Sequence, residues 1–317
     1  SLKGWFVACP LSPRMMLRLP TWLVYRKIVQ TGKLAEKLGA RILGLGAFTS
    51  VVGDGGITIA RQLRIPVTTG NSYTIAQAVH AVREAAVLLE KPLAQSKLAV
   101  VGATGAIGPI CAQLLAPDCA EMILIGHRQE KLQKVADTVR LQGSPKVTLS
   151  ANMESLTRAD FIITVTSAID TIIEPNHLRP GAVICDVSRP RDVSRQVAEQ
   201  RPDVLVIEGG MVQVPGAVNF NFDFGLPPQM AFACMAETMA LALDGNYASF
   251  TLGRDIKLSQ VQTIDTIATR HGFKLSGFRS FERAVTNTQI AITKAASKIE
   301  TNAVNAVPLI GENGRFL

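Results

Sequence analysis

The stretch "KLAVVGATGAIGPICAQLLA" (residues 97–116) decides the fold. A short apolar run ends at Gly102, and Gly105 and Gly108 follow before an apolar helical segment. The run has the length and bounding glycine of a buried strand, and the segment after Gly108 has the length of a helix. The glycines are spaced GxxGxxG instead of GxGxxG, but the physical demands are the same. The turn must be tight, its backbone must be open to close approach, and the first N–H groups of the helix must face negative charge. Glycines also punctuate ordinary turns. The context carries the reading: a strand before, a helix after, and more strand–helix units beyond.

Toward the C-terminus, "EMILIGHR" reads as a strand, "QEKLQKVADTVRLQ" as a helix and "KVTLS" as a strand. "ADFIITVTS", "GAVICDVS" and "DVLVIEGG" are three further strands. This alternation predicts an α/β fold, a Rossmann-type doubly wound parallel sheet. The near-continuous Val, Ile and Leu content agrees with burial on both faces. Toward the N-terminus, "WFVAC" and "RILGLGAF" read as short strands, with the helix "TWLVYRKIVQTGKLAEKLG" between them. "VTTGNSYT" (67–74) is a Gly-Asn turn that opens another helix, and "KPLAQS" reads as a hinge. The expected division is residues 1–95 as the N-terminal part of a second α/β substrate domain, 96–225 as a dinucleotide-binding domain, and 226–317 as a helical part packing back on the substrate domain. After the sheet, the chain is expected to leave through "MVQVPGAVNFNFDFG" and enter a helix in "LPPQMAFACMAET" (226–238), with Cys234 about one and a half turns in. The final "ENGRFL" reads as loose.

Composition sets the outer limits. A chain of 317 residues, 47% hydrophobic and 18% charged, can bury two cores of ordinary size. Thirty-three basic against twenty-five acidic residues give +8. That charge suits an acidic partner: a cofactor phosphate, an acidic carrier protein or, as a peripheral contact, an anionic membrane surface. With 5% aromatic residues and no dense Lys/Arg run, nucleic acid is not expected. The five cysteines, Cys9, Cys111, Cys119, Cys185 and Cys234, form no CxxC pair, so neither zinc nor a disulfide framework is expected, and a reduced, cytoplasmic setting fits. No signal peptide or membrane-spanning run is present in the sequence. The chain does not begin with Met, which reads as a trimmed N-terminus.

The second strand of the sheet selects the cofactor. NAD sites place an acid near that strand's end to hold the ribose hydroxyls. Here His127 and Arg128 stand there instead. An arginine grips a 2′-phosphate that a carboxylate would repel, so NADPH is expected. Gly102, Ala103, Thr104, Gly105, Ala106, Ile107 and Gly108 form its cradle, and Ser167 is a candidate for the nicotinamide pocket. An exposed arginine at a strand end is the bland alternative.

Catalytic residue types narrow the chemistry. Tyr25, Tyr73 and Tyr247 have no Lys four residues on, and neither GxSxG nor HExxH occurs. A thiol is the remaining nucleophile. Cys111 and Cys185 read as packing residues, and Cys9 and Cys119 sit near loops. Cys234 lies near a helix N-terminus and shares a face with Met230, Glu237 and Thr238. An Ala-rich amphipathic helix also accommodates a core cysteine, so pattern alone leaves both readings open.

Several motifs taken together resemble the long-chain acyl-[acyl-carrier-protein] reductases of cyanobacteria, which form fatty aldehydes. They are "LGLGAFTSVV" (43–52), "TTGNSYT" (68–74), "VVGATGAIG" (100–108), "EGGMV" (208–212), "QMAFACMAE" (229–237) and "HGF" (271–273), in family order over most of the chain. The resemblance implies an NADPH-dependent reduction of a fatty acyl thioester, carried by acyl carrier protein or coenzyme A. It implies a thioester intermediate on Cys234, with Glu237 tuning the thiol or merely solvating the helix. Donors around Asn71 and Ser72 are the candidates for holding the oxyanion. The sequence departs from the family in starting late, in having Tyr73 where a histidine is expected, and in the unmatched stretch from Phe281 onward. Two other readings stand beside this one. One is a two-domain dehydrogenase of the shikimate or glutamyl-tRNA reductase type acting on a polar substrate. The other is a non-catalytic NADPH-binding protein. Oligomeric state is not legible.

Overall fold

The computed structural model describes residues 2–143 and 145–305, so the terminal "ENGRFL" lies outside the described residues. The chain opens with α1 (Pro13–Arg18), whose N-cap Ser12 accepts the Met15 N–H, and α2 (Thr21–Lys37). β1 (Leu43–Gly44), α3 (Ile57–Gln62), β2 (Val67–Thr68) and α4 (Asn71–Leu88) follow, with β1 and β2 paired in parallel. The segment "WFVAC" forms no strand. With no neighbouring ladder to join, its backbone runs as an irregular arm ending at Pro10. "RILGLGAF" yields only the two residues of β1. Ala47, at φ 49°, then breaks the extended run and begins a 3-10 turn over Ala47–Ser50.

The central sheet consists of β3 (Lys97–Val101), β4 (Glu121–Ile125), β5 (Lys146–Ser150), β6 (Phe161–Thr164), β7 (Val183–Asp186) and β8 (Leu205–Glu208). Between them lie α5 (Gly108–Leu115), α6 (Gln129–Gln142) and α7 (Arg195–Gln200). All pairings are parallel, in the order β5-β4-β3-β6-β7-β8. Counted along the chain this is 3-2-1-4-5-6, the doubly wound order, with its switch point between β3 and β6. The predicted fold class is therefore observed.

Strand period explains how both faces are covered. Leu98, Val100, Met122, Leu124, Phe161, Ile163, Cys185 and Ile207 point into a core shared with α4, α5 and α6. Their chain neighbours Ala99, Val101, Ile123, Ile125, Ile162, Ile184 and Val206 point into the opposite core with Leu156, Leu178 and Val197. The first core continues past the sheet into the C-terminal helices.

That continuation begins differently from the sequence expectation. β9 (Met211–Gln213) pairs antiparallel with β10 (Met230–Phe232) and with β11 (Lys274–Leu275). Because residues 230–232 are taken into this ladder, α8 (Ala233–Leu243) starts later than expected, and Cys234 is not one and a half turns into it. Cys234 is thus the second residue of its helix. α8 packs with α4 and with α9 (Leu258–Arg270). A hairpin of β12 (Arg279–Ser280) and β13 (Arg283–Ala284) leads to α10 (Asn287–Asn305). A third core, around Met16, Val24, Ile28, Phe48, Ile59 and Val67, joins the N-terminal helices to the β1–β2 pair. Among the described residues no helix is long and apolar enough to cross a membrane.

Buried carboxylates fasten the loops at the carboxyl edge of the sheet. Asp192, fully buried, accepts from Thr166 Oγ1 at 2.6 Å and Ser188 Oγ at 2.5 Å, and also from Thr164 Oγ1. Asp186 accepts from the N–H groups of Ser188 (3.0 Å) and Val193 (3.1 Å). Burial, reinforced by the nearby Asp192, raises the Asp186 carboxyl from 3.8 to about 7. Between those values the native state holds a proton that the unfolded chain has released. The resulting stability is fully present below the unfolded value and is lost as pH rises through the folded one. The stability of the wild type relative to Asp186→Asn is therefore expected to fall between about pH 4 and pH 8, as measured by denaturant titration at several pH values.

Candidate active site

The glycine turn lies between the end of β3 and the start of α5, at the switch point. Its three glycines are each dictated by contact. Gly102 has φ 80°, and a Cβ there would stand 3.0 Å from the Val165 carbonyl oxygen. A Cβ on Gly108 would stand 2.4 Å from the Gly102 oxygen, and one on Gly105 3.2 Å from the same atom. Methyl groups at these positions would fill the concavity that brings backbone and α5 N-terminus to a pyrophosphate. The donor set therefore fits a dinucleotide. Ala103 is fully buried beneath the turn, and Thr104, Ala106 and Ile107 complete it, each half-buried.

His127 and Arg128 follow β4 beside this turn. Both are exposed, and neither has an ion-pair partner among the described residues. Ser167, exposed, follows β6 on the other side of the switch point. Its loop is held by Asp192, since Thr166 N–H and Oγ1 both donate to that carboxylate.

The thiol is set against the same edge of the sheet. The Ala233 N–H donates to the carbonyl of Gly210, just past β8, at 2.7 Å. This bond brings the N-terminus of α8 to the carboxyl edge of the sheet, beside the outer strand β8. Gly70, at φ 75°, packs on Cys234 so closely that a Cβ would lie 2.3 Å from the Cys234 Cα. Only glycine satisfies both the backbone angle and the contact.

Glu237 accounts for this close packing. It is fully buried, which removes the reading in which it merely solvates the helix. Its carboxylate accepts from the Tyr73 N–H at 2.9 Å, from Thr251 Oγ1 at 2.8 Å and from Thr68 Oγ1. Burial raises its pKa, and the hydrogen bonds from Thr68, Tyr73, Thr251 and the Gly70 N–H oppose that rise. Ser72, also fully buried, donates its hydroxyl to Thr251 Oγ1 at 2.8 Å, since the Thr251 hydrogen is given to Glu237, and the Thr69 N–H donates to the Thr251 carbonyl at 2.9 Å. Asn71 opens α4 and is half-buried. The donors of the 68–73 turn are thus largely committed to Glu237 and Thr251.

Other groups face the sulfur. The N–H groups of Ala47 and Met235 favour the thiolate, but burial is the larger effect and raises the Cys234 pKa, with the Glu237 carboxylate adding to it. Ala47 supplies its N–H from the left-handed conformation noted above, which costs an L-residue energy and persists only where the surroundings enforce it. Thr238, one turn after Cys234, has a buried hydroxyl without a partner and lines the same cavity as the thiol. Neither Ala47 nor the Thr238 hydroxyl carried a role in the sequence reading. Ala47 had no sequence signal beyond its place after Gly46, whereas Thr238 at i+4 from the cysteine did. The other thiols differ: burial pushes Cys111 and Cys119 up to about 12, and Cys185 higher still.

Cys234 opens onto a cavity of about 1120 Å³. Its wall is largely apolar, with Phe48, Met235, Met239, Phe220, Val218 and Phe273 among its side chains. The cavity extends to the N-terminal arm, where Leu2, Trp5 and Phe6 are at once wall residues and solvent-exposed.

The chain is similar to several known proteins. Residues 84–208 match the family model described as Shikimate / quinate 5-dehydrogenase, a span from late α4 to the end of β8 that excludes Cys234. The chain is 33% identical over 279 residues to Aminotransferase PigE of a Serratia species, a match covering 86% of this chain and 32% of that protein. It therefore corresponds to about a third of that relative's length. It is 29% identical over 288 residues to the long-chain acyl-[acyl-carrier-protein] reductase of Synechococcus elongatus, covering 86% of this chain and 82% of that one. Among solved structures, the nucleotide-binding domain of glutamyl-tRNA reductase from Thermoplasma volcanium superposes with a TM-score of 0.29 and 20% identity, over 42% of this chain and 84% of that one.

The surroundings of Cys234 predict its titration. Iodoacetamide labelling of this residue, followed by peptide mass spectrometry, is expected to accelerate with a midpoint above the ordinary thiol range. A midpoint below about 8 would contradict burial as the dominant influence.

Proposed function

We propose that the protein is an NADPH-dependent reductase that converts a fatty acyl thioester, carried by acyl carrier protein or coenzyme A, to an aldehyde through a thioester on Cys234. The observation that carries this reading is a thiol at the N-terminus of α8 opening into a largely apolar cavity, in a chain whose glycine turn fits a dinucleotide pyrophosphate. An apolar wall suits an alkyl chain and gives a polar substrate of the shikimate type little to bind. The similarity to the Synechococcus elongatus reductase supports the same reading.

In this reading, Gly102, Gly105, Gly108 and the first residues of α5 hold the pyrophosphate. Arg128 and His127 hold the 2′-phosphate, and Ser167 borders the nicotinamide. When bound, NADPH supplies the hydride that takes the acyl carbon of the Cys234 thioester to the aldehyde oxidation level.

The Cys234 thiolate first attacks the carbonyl carbon of the incoming thioester. A new C–S bond forms, the carrier's C–S bond breaks, and the carrier thiolate leaves and takes up a proton. The Ala47 and Met235 N–H groups stabilise negative charge on the sulfur before attack, and the Thr238 hydroxyl is the unspent donor near it. An alkyl chain filling the apolar cavity in front of Cys234 would keep water from the acyl-enzyme, which would otherwise hydrolyse to a free acid. After reduction, Cys234 leaves the carbon as thiolate and the aldehyde is released. Glu237 acts as a positioning residue, holding the 68–73 turn against the back of the thiol.

Incubation with an acyl thioester in the absence of NADPH is expected to give a covalent acyl adduct by intact mass, absent in Cys234→Ser. No adduct on the wild type with any chain length would overturn the covalent step. Separately, Arg128→Ala is expected to lower kcat/KM for NADPH by about tenfold or more while leaving that for NADH nearly unchanged, in keeping with loss of one charge-assisted phosphate contact. Equal losses with both cofactors would remove the assignment of Arg128.

A further inference from the structure

We propose that Arg41 binds the phosphate at the end of the donor's pantetheine arm, the group that coenzyme A and acyl carrier protein share. The inference rests on the reading of Cys234 as the residue that takes the acyl group, and adds where the donor lies and what holds it. One face of α8 lines the cavity along its whole length, through Cys234, Met235, Thr238, Met239, Ala242 and Leu243. From Cys234 to Leu243 this face covers about 13 Å, at a rise of about 1.5 Å per residue. Residues 41–47 form a facing wall that runs antiparallel to α8. The Ala47 N–H meets the Cys234 sulfur, Gly44 packs on Thr238, and Arg41 lies at the far end, its guanidinium 3.6 Å from the centre of the Tyr247 ring. Tyr247 belongs to that end because its hydroxyl donates to the Ala242 carbonyl at 3.4 Å.

The charges at this end favour an anion. Arg41 has no carboxylate partner among the described residues. Asp244, the acid that follows α8, is paired instead with Arg270 and with His271, the latter at 3.0 Å. Among the described residues no Asp or Glu lines the cavity, and its other cation, Lys3, lies over Trp5. The Tyr247 ring holds the guanidinium in place while leaving its N–H fork free for phosphate oxygens. The wall between thiol and arginine is also suited to amides. β1 pairs with β2 alone, and its N–H bonds to that strand come from Leu43 and Leu45, which donate to the Pro66 and Thr68 carbonyls at 2.9 and 2.8 Å. Alternate residues of a strand bond to opposite sides, so the N–H and C=O of Gly44 face the free edge, in the cavity wall.

An alkyl chain alone would use neither the strand edge nor the guanidinium. A pantetheine arm uses both, its amides on the edge and its phosphate on Arg41. Its sulfur and phosphorus are about thirteen bonds apart, which at the extended chain's ~1.2 Å per bond spans about 15 Å. That length matches the separation of the thiol from the far end of α8. The cavity of about 1120 Å³ also exceeds what a single small ligand fills, roughly 300–1,000 Å³, and so has room for the arm beside the acyl chain.

The test follows acyl transfer to Cys234 by intact mass, without NADPH, from S-hexadecanoyl-4′-phosphopantetheine and from S-hexadecanoyl-pantetheine, which differ only in the phosphate. The wild type is expected to reach its half-maximal rate at a concentration about tenfold or more lower with the phosphorylated donor. Arg41→Gln should raise that concentration toward the value for the other donor, with the maximal rate little changed. Arg41→Lys should keep part of the advantage. No phosphate preference in the wild type, or equal losses with both donors in Arg41→Gln, overturns the proposal. Hexadecanoyl-coenzyme A and hexadecanoyl acyl carrier protein are compared in the same way. Sensitivity to Arg41→Gln with either one supports the anchor and names the carrier, and insensitivity with both overturns it. If the wild type forms no adduct, the covalent step fails on its own, and calorimetry with unacylated 4′-phosphopantetheine decides the anchor. Binding that Arg41→Gln weakens about tenfold upholds it, and binding that is absent or unchanged overturns it.

Discussion

The buried carboxylate of Glu237 is the contact on which the arrangement around the thiol depends. It reaches from α8 to Thr68 at the end of β2, to the Tyr73 N–H in the first turn of α4 and to Thr251. A carboxylate with no exposed surface is tolerable only when its oxygens are satisfied, and removing it would leave several buried donors unpaired at about 1–3 kcal/mol each. Its placement therefore fixes three segments at once. Gly70 can come to rest on the Cys234 backbone because the carboxylate beside it holds the turn down. The thiol is positioned by the neighbouring turn as much as by its own helix.

Two further constraints tie this assembly and the neighbouring loops to the carboxyl edge of the sheet. The Ala233–Gly210 hydrogen bond seats the N-terminus of α8 at the carboxyl edge of the sheet. Asp192 holds the loops after β6 and β7 in place at the same edge. The crevice and the thiol are consequently built on rigid elements that share one core, since α4, α8 and the sheet pack together in it. Such a site has its geometry set before any ligand arrives, as electrostatic stabilisation requires.

The other side of the thiol is of a different character. There the chain encloses apolar space with Phe48, Met239, Phe220 and Phe273. A polar, hydrogen-bonded wall faces the back of Cys234 and an apolar one faces its front. This polarity of the site gives the thiol a low-dielectric approach, which also explains why burial raises its pKa despite two N–H groups at the sulfur.

The sequence by itself determined whatever rests on local sterics and strand period. Gly102, Gly105 and Gly108 were legible because each must lack a Cβ within its own turn, and β3 to β8 were legible because Val, Ile and Leu alternate between two buried faces. Only tertiary structure decided what depends on residues far apart in the chain. "WFVAC" has the composition of a strand but no ladder to join, and Met230–Phe232 became a strand because β9 was there to pair with it, moving the start of α8 to Ala233. Thr68 and Glu237 are 169 residues apart, and nothing in either local pattern announces their contact. Ala47 is an ordinary small residue in sequence, and only the fold turns its N–H toward Cys234. Backbone sterics act over a few residues and can be read from a string, whereas hydrogen bonds to a buried carboxylate or a thiol exist only after packing has brought their partners together.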